Sequence, residues 1–200
     1  MRLIRLIPAA FILLGAAPSF AQDWIEYVDR EERFQVNFPG QPTVKDTTYK
    51  SEYGKTLPAK VYTVRVGLRS YSMTVVNYKD AAVTDVRGSI AWEAWNFRKR
   101  GGQVTYDAYT QTDRIEGHQL QITNADKSRT FVAIHQHGRR LYIMEATAPA
   151  SDPPPADFQQ SLSILDEQGI RIRYNIDADG NRTRVPPNYV GQGGGGGPDR

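Results

Sequence analysis

The three histidines of this 200-residue chain lie close together in the sequence, at positions 118, 135 and 137. If Asp126 and Lys127 form a two-residue hairpin loop, His118 pairs with His135 across the hairpin. His137 then shares their face, because side chains alternate between the two faces of a strand. Three imidazoles on one face are typical zinc ligands. One interpretation is therefore a metal-binding or metal-dependent protein that uses His118, His135 and His137.

A second interpretation places these histidines at the solvated rim of a sheet. The apolar residues of the same hairpin then form the buried part of that face: Leu120, Ile122, Phe131 and Ala133. A shift of one residue in the strand register would move His118 to the opposite face and separate the three imidazoles. We therefore favour the rim interpretation over the metal site.

A predicted helix that precedes the histidines in the chain is a second candidate site, for binding a partner. The segment IAWEAWNFRKR is predicted to be helical, with Ser89 as its N-cap and Gly101 after its last turn. One apolar stripe, with Ala91 and Trp95 beside it, is expected to pack on the core: Ile90, Ala94 and Phe97. Trp92 is then the exposed aromatic residue of a predicted partner surface, which it forms with the cations at the helix end: Arg98, Lys99 and Arg100. The alternative is that the helix only packs on the core and its cations offset the helix dipole.

Other motifs do not predict a reaction. The segment NIDADGN, from Asn175 to Asn181, spaces its oxygens like the start of a calcium loop, but Arg182 and Pro186 stand where that loop needs an apolar residue and a glutamate. An Asp/Gly turn is favoured there. The chain has no cysteine, no G-x-S-x-G turn and no glycine-rich phosphate loop between a strand and a helix. We therefore predict a protein that is not an enzyme, with no catalytic residue and no cofactor.

The first 21 residues have the three parts of a secretory signal peptide. Arg2 and Arg5 precede an apolar run, and Ser19-Phe20-Ala21 supplies a small-residue cleavage site. The mature chain is expected to begin at Gln22 and to be periplasmic or secreted. No later segment approaches the ~20 apolar residues of a spanning helix, so we expect no transmembrane segment in the mature chain.

The net charge argues against nucleic acid as a partner. The whole chain has 25 basic and 22 acidic residues, and the signal peptide removes two arginines, which leaves 23 against 22. Such a nearly neutral protein lacks the basic surface that nucleic-acid binding requires.

Alternating and β-branched runs predict most of the remaining chain to be strands joined by short loops: Phe34–Phe38, Lys60–Val66, Tyr71–Tyr78, Gln103–Thr110, His118–Asn124, Thr130–His137 and Leu141–Thr147. A second helix is predicted from Ser151 or Asp152, with Phe158, Leu162 and Leu165 on one face. The fold class is α+β, an antiparallel β-sheet with helices packed on it. Residues 22–175 form a single domain, and residues 176–200 form a polar, Gly/Pro-rich disordered tail.

The predicted core consists of apolar residues on the inward faces of these elements: Phe34, Val36, Phe38, Val64, Tyr71, Met73, Val75, Leu120, Ile122, Phe131, Tyr142, Met144, Phe158 and Leu162.

Four short motifs resemble the small exported PsbP-like proteins of bacteria. They are W-x-x-Y at Trp24, F-x-V-x-F-P-x-x-P at Phe34, R-L-Y at Arg140 and F-x-x-S-L at Phe158. The resemblance spans about Trp24 to Leu165 and consists mostly of core and turn residues. It implies a PsbP-like fold and a non-catalytic binding or assembly module, whose partner is an unknown protein or another component of the cell envelope.

Overall fold

The computed structural model describes residues 24–81 and 85–187, and these residues are mostly β-structure. The strands are β1 (Ile25–Asp29), β2 (Phe34–Phe38), β3 (Thr43–Lys50), β4 (Thr56–Val66), β5 (Arg69–Asn77), β6 (Gln103–Thr112), β7 (Ile115–Thr123), β8 (Arg129–His137), β9 (Arg140–Ala148), β10 (Ser163–Ile164), β11 (Tyr174–Ile176) and β12 (Arg182–Arg184). The helices are α1 (Val86–Lys99) and α2 (Ala156–Gln159).

A seven-stranded sheet organises the described part of the molecule. Its strand order is β3-β4-β5-β9-β8-β7-β6, and every neighbouring pair is antiparallel. Strands β1, β2 and β10 form a three-stranded sheet, and β11 pairs with β12. All seven predicted strands are present, and β2 has the predicted bounds. Sequence analysis missed β1, β3 and the short strands β10 to β12.

The inner strands of the large sheet are buried on both faces. Against one face lie β1, β2, β10 and α2, which enclose Phe34, Tyr71 and Phe158. Against the other face lies α1, which encloses Ile90 and Phe97. All fourteen residues of the predicted core are buried. The α+β prediction is confirmed only in part, because the antiparallel sheets dominate and α2 has four residues.

The predicted start of α1 was wrong by one turn. The helix begins at Val86, and its N-cap is Asp85, whose carboxylate accepts a hydrogen bond from the Arg87 backbone N–H at 3.1 Å. Ser89 therefore lies inside the helix, where it is buried and its hydroxyl contacts the Gln136 side chain. An aspartate directly before the first helical residue caps the helix as well as a serine would.

The predicted second helix is much shorter than expected. It ends at Gln159, and the chain then pairs Ser163 and Ile164 with β2. Leu162 and Leu165 are buried as predicted, but from an extended segment and not from a helix face. Gln159 fixes this change of direction, because its side-chain amide donates to the carbonyl of Val132 at 2.6 Å.

The described structure continues past the predicted tail boundary at residue 176. A hairpin formed by β11 and β12 crosses it, and the Asp177 carboxylate accepts hydrogen bonds from the backbone N–H groups of Asp179 and Asn181 in the connecting turn. Arg184 forms an ion pair with Asp166, which joins the hairpin to the domain. The rest of the predicted tail from residue 188, and the predicted signal peptide, lie outside the described residues. No helix among the described residues is long and apolar enough to cross a membrane.

Candidate functional site

The three histidines do not converge, so the described residues do not form the metal site that was the alternative interpretation. The loop between β7 and β8 has three residues, because Asn124 N–H bonds to the Ser128 carbonyl at 2.8 Å and Lys127 adopts a φ of +69°. This loop shifts the register by one residue, and His118 pairs with Ile134. His118 therefore faces α1, while His135 and His137 face the opposite side. Within residues 24–81 and 85–187, no three His, Cys, Asp or Glu side chains are placed to hold a metal ion.

The favoured rim interpretation was wrong in expecting the histidines to be exposed to solvent. His118 is 7% exposed and His135 is 3% exposed, so both are buried. His137 is half-buried, and its Nε2 lies 3.0 Å from the hydroxyl of Tyr174. The hairpin β11–β12, which the sequence analysis did not include in the fold, covers this end of the sheet.

His118 belongs to an ionic cluster that joins α1 to the sheet. Its Nε2 lies 2.5 Å from Asp107 Oδ1, and both Asp107 oxygens accept hydrogen bonds from Arg98, at 2.6 and 2.7 Å. The hydrogen bonds from Arg98, with a further contribution from His118, lower the pKa of Asp107 to about 2. The ring of Tyr109 meets the imidazole edge-on at 5.1 Å between centroids. Arg98 was predicted to face a partner, but its guanidinium group binds Asp107 and His118 of the same chain.

His135 lies against the backbone of Gly117 on the opposite face. A Cβ atom at position 117 would be 2.2 Å from His135 Nδ1, so the imidazole occupies the space that any other side chain would need. Burial lowers the pKa of His135 to about 4, and Nδ1 has no hydrogen-bond partner among the described residues. The imidazole is therefore neutral at physiological pH. It lines a cavity of about 380 Å³ with threonine and glutamine side chains.

The predicted partner surface on α1 has a different exposed aromatic residue. Trp95 is 43% exposed, whereas Trp92 is half-buried and donates its indole N–H to the Lys50 carbonyl at 3.3 Å. The two rings stack at 5.0 Å, and Lys99 Nζ lies 3.8 Å from the Trp95 ring centroid. Arg100 forms an ion pair with Glu145 at 2.9 Å. Of the predicted cations, Lys99 alone is left on this aromatic pair, and its role in binding stays a prediction.

A cavity lies between α1 and the edge of the large sheet that is formed by β6. We call it the edge cleft; its volume is about 650 Å³, and it is lined by Arg87, Ile90, Tyr109, Thr110, Gln111, Glu116 and Gly117. Tyr109 is 81% exposed, which is unusual for an aromatic side chain in a strand. Arg87 and Glu116 form an ion pair at 3.3 Å on the cleft wall, so their charges offset each other.

Sequence analysis missed the edge cleft. Its walls come from α1, β6 and β7, and only the register brings them together. The signal that could have found it is the segment YDAYTQT, where two tyrosines stand in a polar strand with no lysine or proline.

Comparison with known proteins gives a fold likeness. No family model and no curated protein matches the chain. Among solved structures, it is similar to the solution structure of cyanobacterial PsbP (CyanoP) from Synechocystis sp. PCC 6803, with a TM-score of 0.46 and 12% identity over 76% of this chain and 99% of that chain. That structure is of a PsbP protein, the type that the sequence motifs resemble. It concerns the fold alone, and no residue role is carried over from it.

Proposed function

We propose that this protein is an exported, non-catalytic binding module of the PsbP-like type, and that its partner is a protein or another component of the cell envelope. The edge cleft is the observation that supports the proposal most. It combines an exposed tyrosine, an apolar floor at Ile90 and an internally neutralised ion pair beside an open sheet edge. Such a mixture of apolar area and a few fixed polar groups is typical of recognition sites.

The chemistry-bearing side chains near the cleft support binding over catalysis. His118 Nε2 already contacts both Asp107 and Arg98, at 2.5 and 3.3 Å. His135 is packed against Gly117 and is kept neutral by burial. These histidines therefore stabilise the walls of the site, and we assign the contact with a partner to Tyr109.

Capture from envelope extract tests the binding function. Residues 22–200 would be immobilised and compared with Tyr109→Ala and with Tyr53→Ala, a matched control because Tyr53 is also exposed, at 59%. We expect a stoichiometric partner on the parent chain and on Tyr53→Ala, and roughly tenfold weaker retention on Tyr109→Ala. Equal retention by both variants would remove the edge cleft from the proposal. No retained protein, lipid or glycan would refute the binding function itself.

Export is tested separately. The mature protein, recovered from the periplasm or the medium, should begin at Gln22 in an intact-mass measurement. A species that keeps residues 1–21 would contradict the signal-peptide prediction.

A further inference from the structure

We infer that the partner supplies an extended peptide segment, which adds to β6 as an eighth strand of the large sheet and places one uncharged side chain in the edge cleft. This inference rests on the proposed binding function and specifies its partner chemistry. Strand addition is a general recognition mode in which main-chain hydrogen bonds give affinity and pockets for alternate side chains give specificity.

Within residues 24–81 and 85–187, the backbone of β6 presents a regular row of hydrogen-bonding groups that no neighbouring strand uses. The β6–β7 turn is Asp113-Arg114, and both residues have positive φ, +50° and +66°, as in a type I′ two-residue hairpin. The flanking pair Thr112 and Ile115 is then doubly hydrogen-bonded, and the bonded pairs alternate along the ladder from there. The N–H and C=O groups that point away from β7 therefore belong to three residues: Asp107, Tyr109 and Gln111.

The loop at the other end of β7 gives the same result independently. Asn124 N–H bonds to the Ser128 carbonyl across the β7–β8 hairpin. Counting back along β7, the alternation turns Gly117 toward β6, where it pairs with Thr110. The outward groups of β6 are thus spaced two residues apart, roughly 6.8 Å, which matches the repeat of another extended strand.

The two edges of the sheet differ in how they are protected. Edge strand β3 carries exposed Lys45, Asp46 and Lys50, and charges of this kind discourage pairing with another strand. The one charged residue of β6 is Asp107, whose carboxylate is already bound by Arg98 and His118. In the described part of the chain, β6 is therefore the edge that is open to a partner strand.

The edge cleft lies where the side chains of an added strand would point. Tyr109 and Gln111 line it from β6, and Arg87 and Ile90 line it from α1. Every second side chain of an added strand points toward α1, because strand side chains alternate between faces. The ion pair between Arg87 and Glu116 leaves no net charge on the cleft wall, so the complementary side chain is apolar or neutral.

The length of the docking segment is also limited. The β6–β7 register shifts between Val104 and Tyr106, which marks a bulge at Thr105. A bulge twists an edge strand and interrupts regular pairing. We therefore place the added strand against Tyr106 to Thr112.

The decisive experiment uses peptides selected from a random ten-residue displayed library on residues 22–200. The best binder is synthesised with capped ends and then N-methylated at one peptide bond at a time. We expect N-methylation to weaken binding about tenfold or more at alternate positions and to have little effect at those between, because only every second N–H faces β6.

Variants of the protein test the same geometry from the other side. Gln111→Pro removes one outward N–H while it leaves the hydrogen bonds to β7 intact. It should lower the affinity for the selected peptide about tenfold. Gln111→Ala is the matched control, since it removes the side chain and keeps the N–H. Far-ultraviolet circular dichroism checks that Gln111→Pro is folded; if it is not, the N-methyl scan alone decides.

Three outcomes would overturn strand addition. They are a library that yields no binder, a selected peptide whose affinity ignores N-methylation, and a β6–β6 dimer in sedimentation equilibrium that Gln111→Pro dissociates. An envelope partner that is retained equally by Gln111→Pro would refute strand addition and leave the binding module standing.

Discussion

At the scale of single residues, the fold depends on a glycine that leaves room for a histidine. Gly117 and His135 face each other across β7 and β8, and a methyl group on Gly117 would lie 2.2 Å from the imidazole. We expect Gly117→Ala to lower the free energy of unfolding by about 1–3 kcal/mol, because the ring must move within a packed site. Urea denaturation measures the change.

A double-mutant cycle separates this overlap from a general effect of alanine in the strand. His135→Ala removes the ring but leaves the Ile134 carbonyl oxygen, which would lie 2.6 Å from the added Cβ. The double variant should therefore recover only part of the loss, but it should still lose less stability than the two single losses added together. Additive losses would show that the imidazole and residue 117 do not compete for the same volume.

The buried imidazole also makes stability depend on pH. Burial lowers the pKa of His135 from 6.5 to about 4 in the folded protein. Between these values the unfolded chain binds the proton and the folded chain does not, so stability is full above pH 6.5 and falls as the pH drops toward 4. The free energy of unfolding is expected to fall by about 3 kcal/mol between pH 6.5 and 4 because of His135.

The comparison is with His135→Gln, which has no titrating group at this position. Urea denaturation from pH 7.5 to 4 should show a shallower loss for the variant, while the carboxylates, including Asp107, titrate alike in both proteins. Parallel stability curves for the two proteins would mean that His135 is protonated equally in the folded and unfolded states.

At the scale of elements, the hairpin β11–β12 belongs to the domain and not to a tail. Tyr174 packs against the core and contacts His137, and Arg184 pairs with Asp166. A chain that ends at Asn175 keeps Tyr174 but loses its β12 partner strand and the ion pair of Arg184. It should therefore be less stable than a chain that ends at Pro187, by about 1–3 kcal/mol. Equal melting temperatures for the two chains would restore the boundary predicted from sequence.

The sequence predicted most strands because alternation is a local signal. Phe34 to Phe38 alternates strictly, and its bounds were predicted without error. β3 was missed because its residues are almost all exposed, so no apolar period marks it. The spacing of Phe158, Leu162 and Leu165 imitated a helix, because a short turn followed by a strand can bury residues at the same intervals.

The candidate site was less predictable because it depends on register. One extra loop residue before Ser128 turned His118 toward α1, and no local pattern distinguishes the two loops. The edge cleft required knowing that β6 ends the sheet and that α1 lies over β7 and β8. Both facts come from pairing between distant segments, which sequence spacing does not encode.

At the scale of the whole molecule, one sheet serves two cores. β9 shows this most directly, since Tyr142 and Met144 face the β1–β2–β10 side while Leu141 and Ile143 face α1. A strand buried on both faces reads as a continuous apolar run, as LYIM does in this chain. The edge cleft is built on the outer rim of this shared sheet, so a partner strand would extend a rigid element.

The shared sheet predicts that the two cores unfold together. Phe158 is fully buried on one side, 5.2 Å from Phe38 between ring centroids, and Phe97 is 1% exposed on the other side. Phe158→Ala and Phe97→Ala should each cost about 3–5 kcal/mol, and each variant should still unfold in a single transition.

The tryptophans allow each side to be followed, because Trp24 packs on Tyr71 near Phe158 while Trp95 lies on α1. Trp24→Phe leaves fluorescence that reports on α1 alone, and its midpoint in urea should coincide with that of far-ultraviolet circular dichroism in both alanine variants. Separate midpoints would mean that α1 leaves the sheet before the sheet unfolds, and that the edge cleft can open while the rest of the protein stays folded.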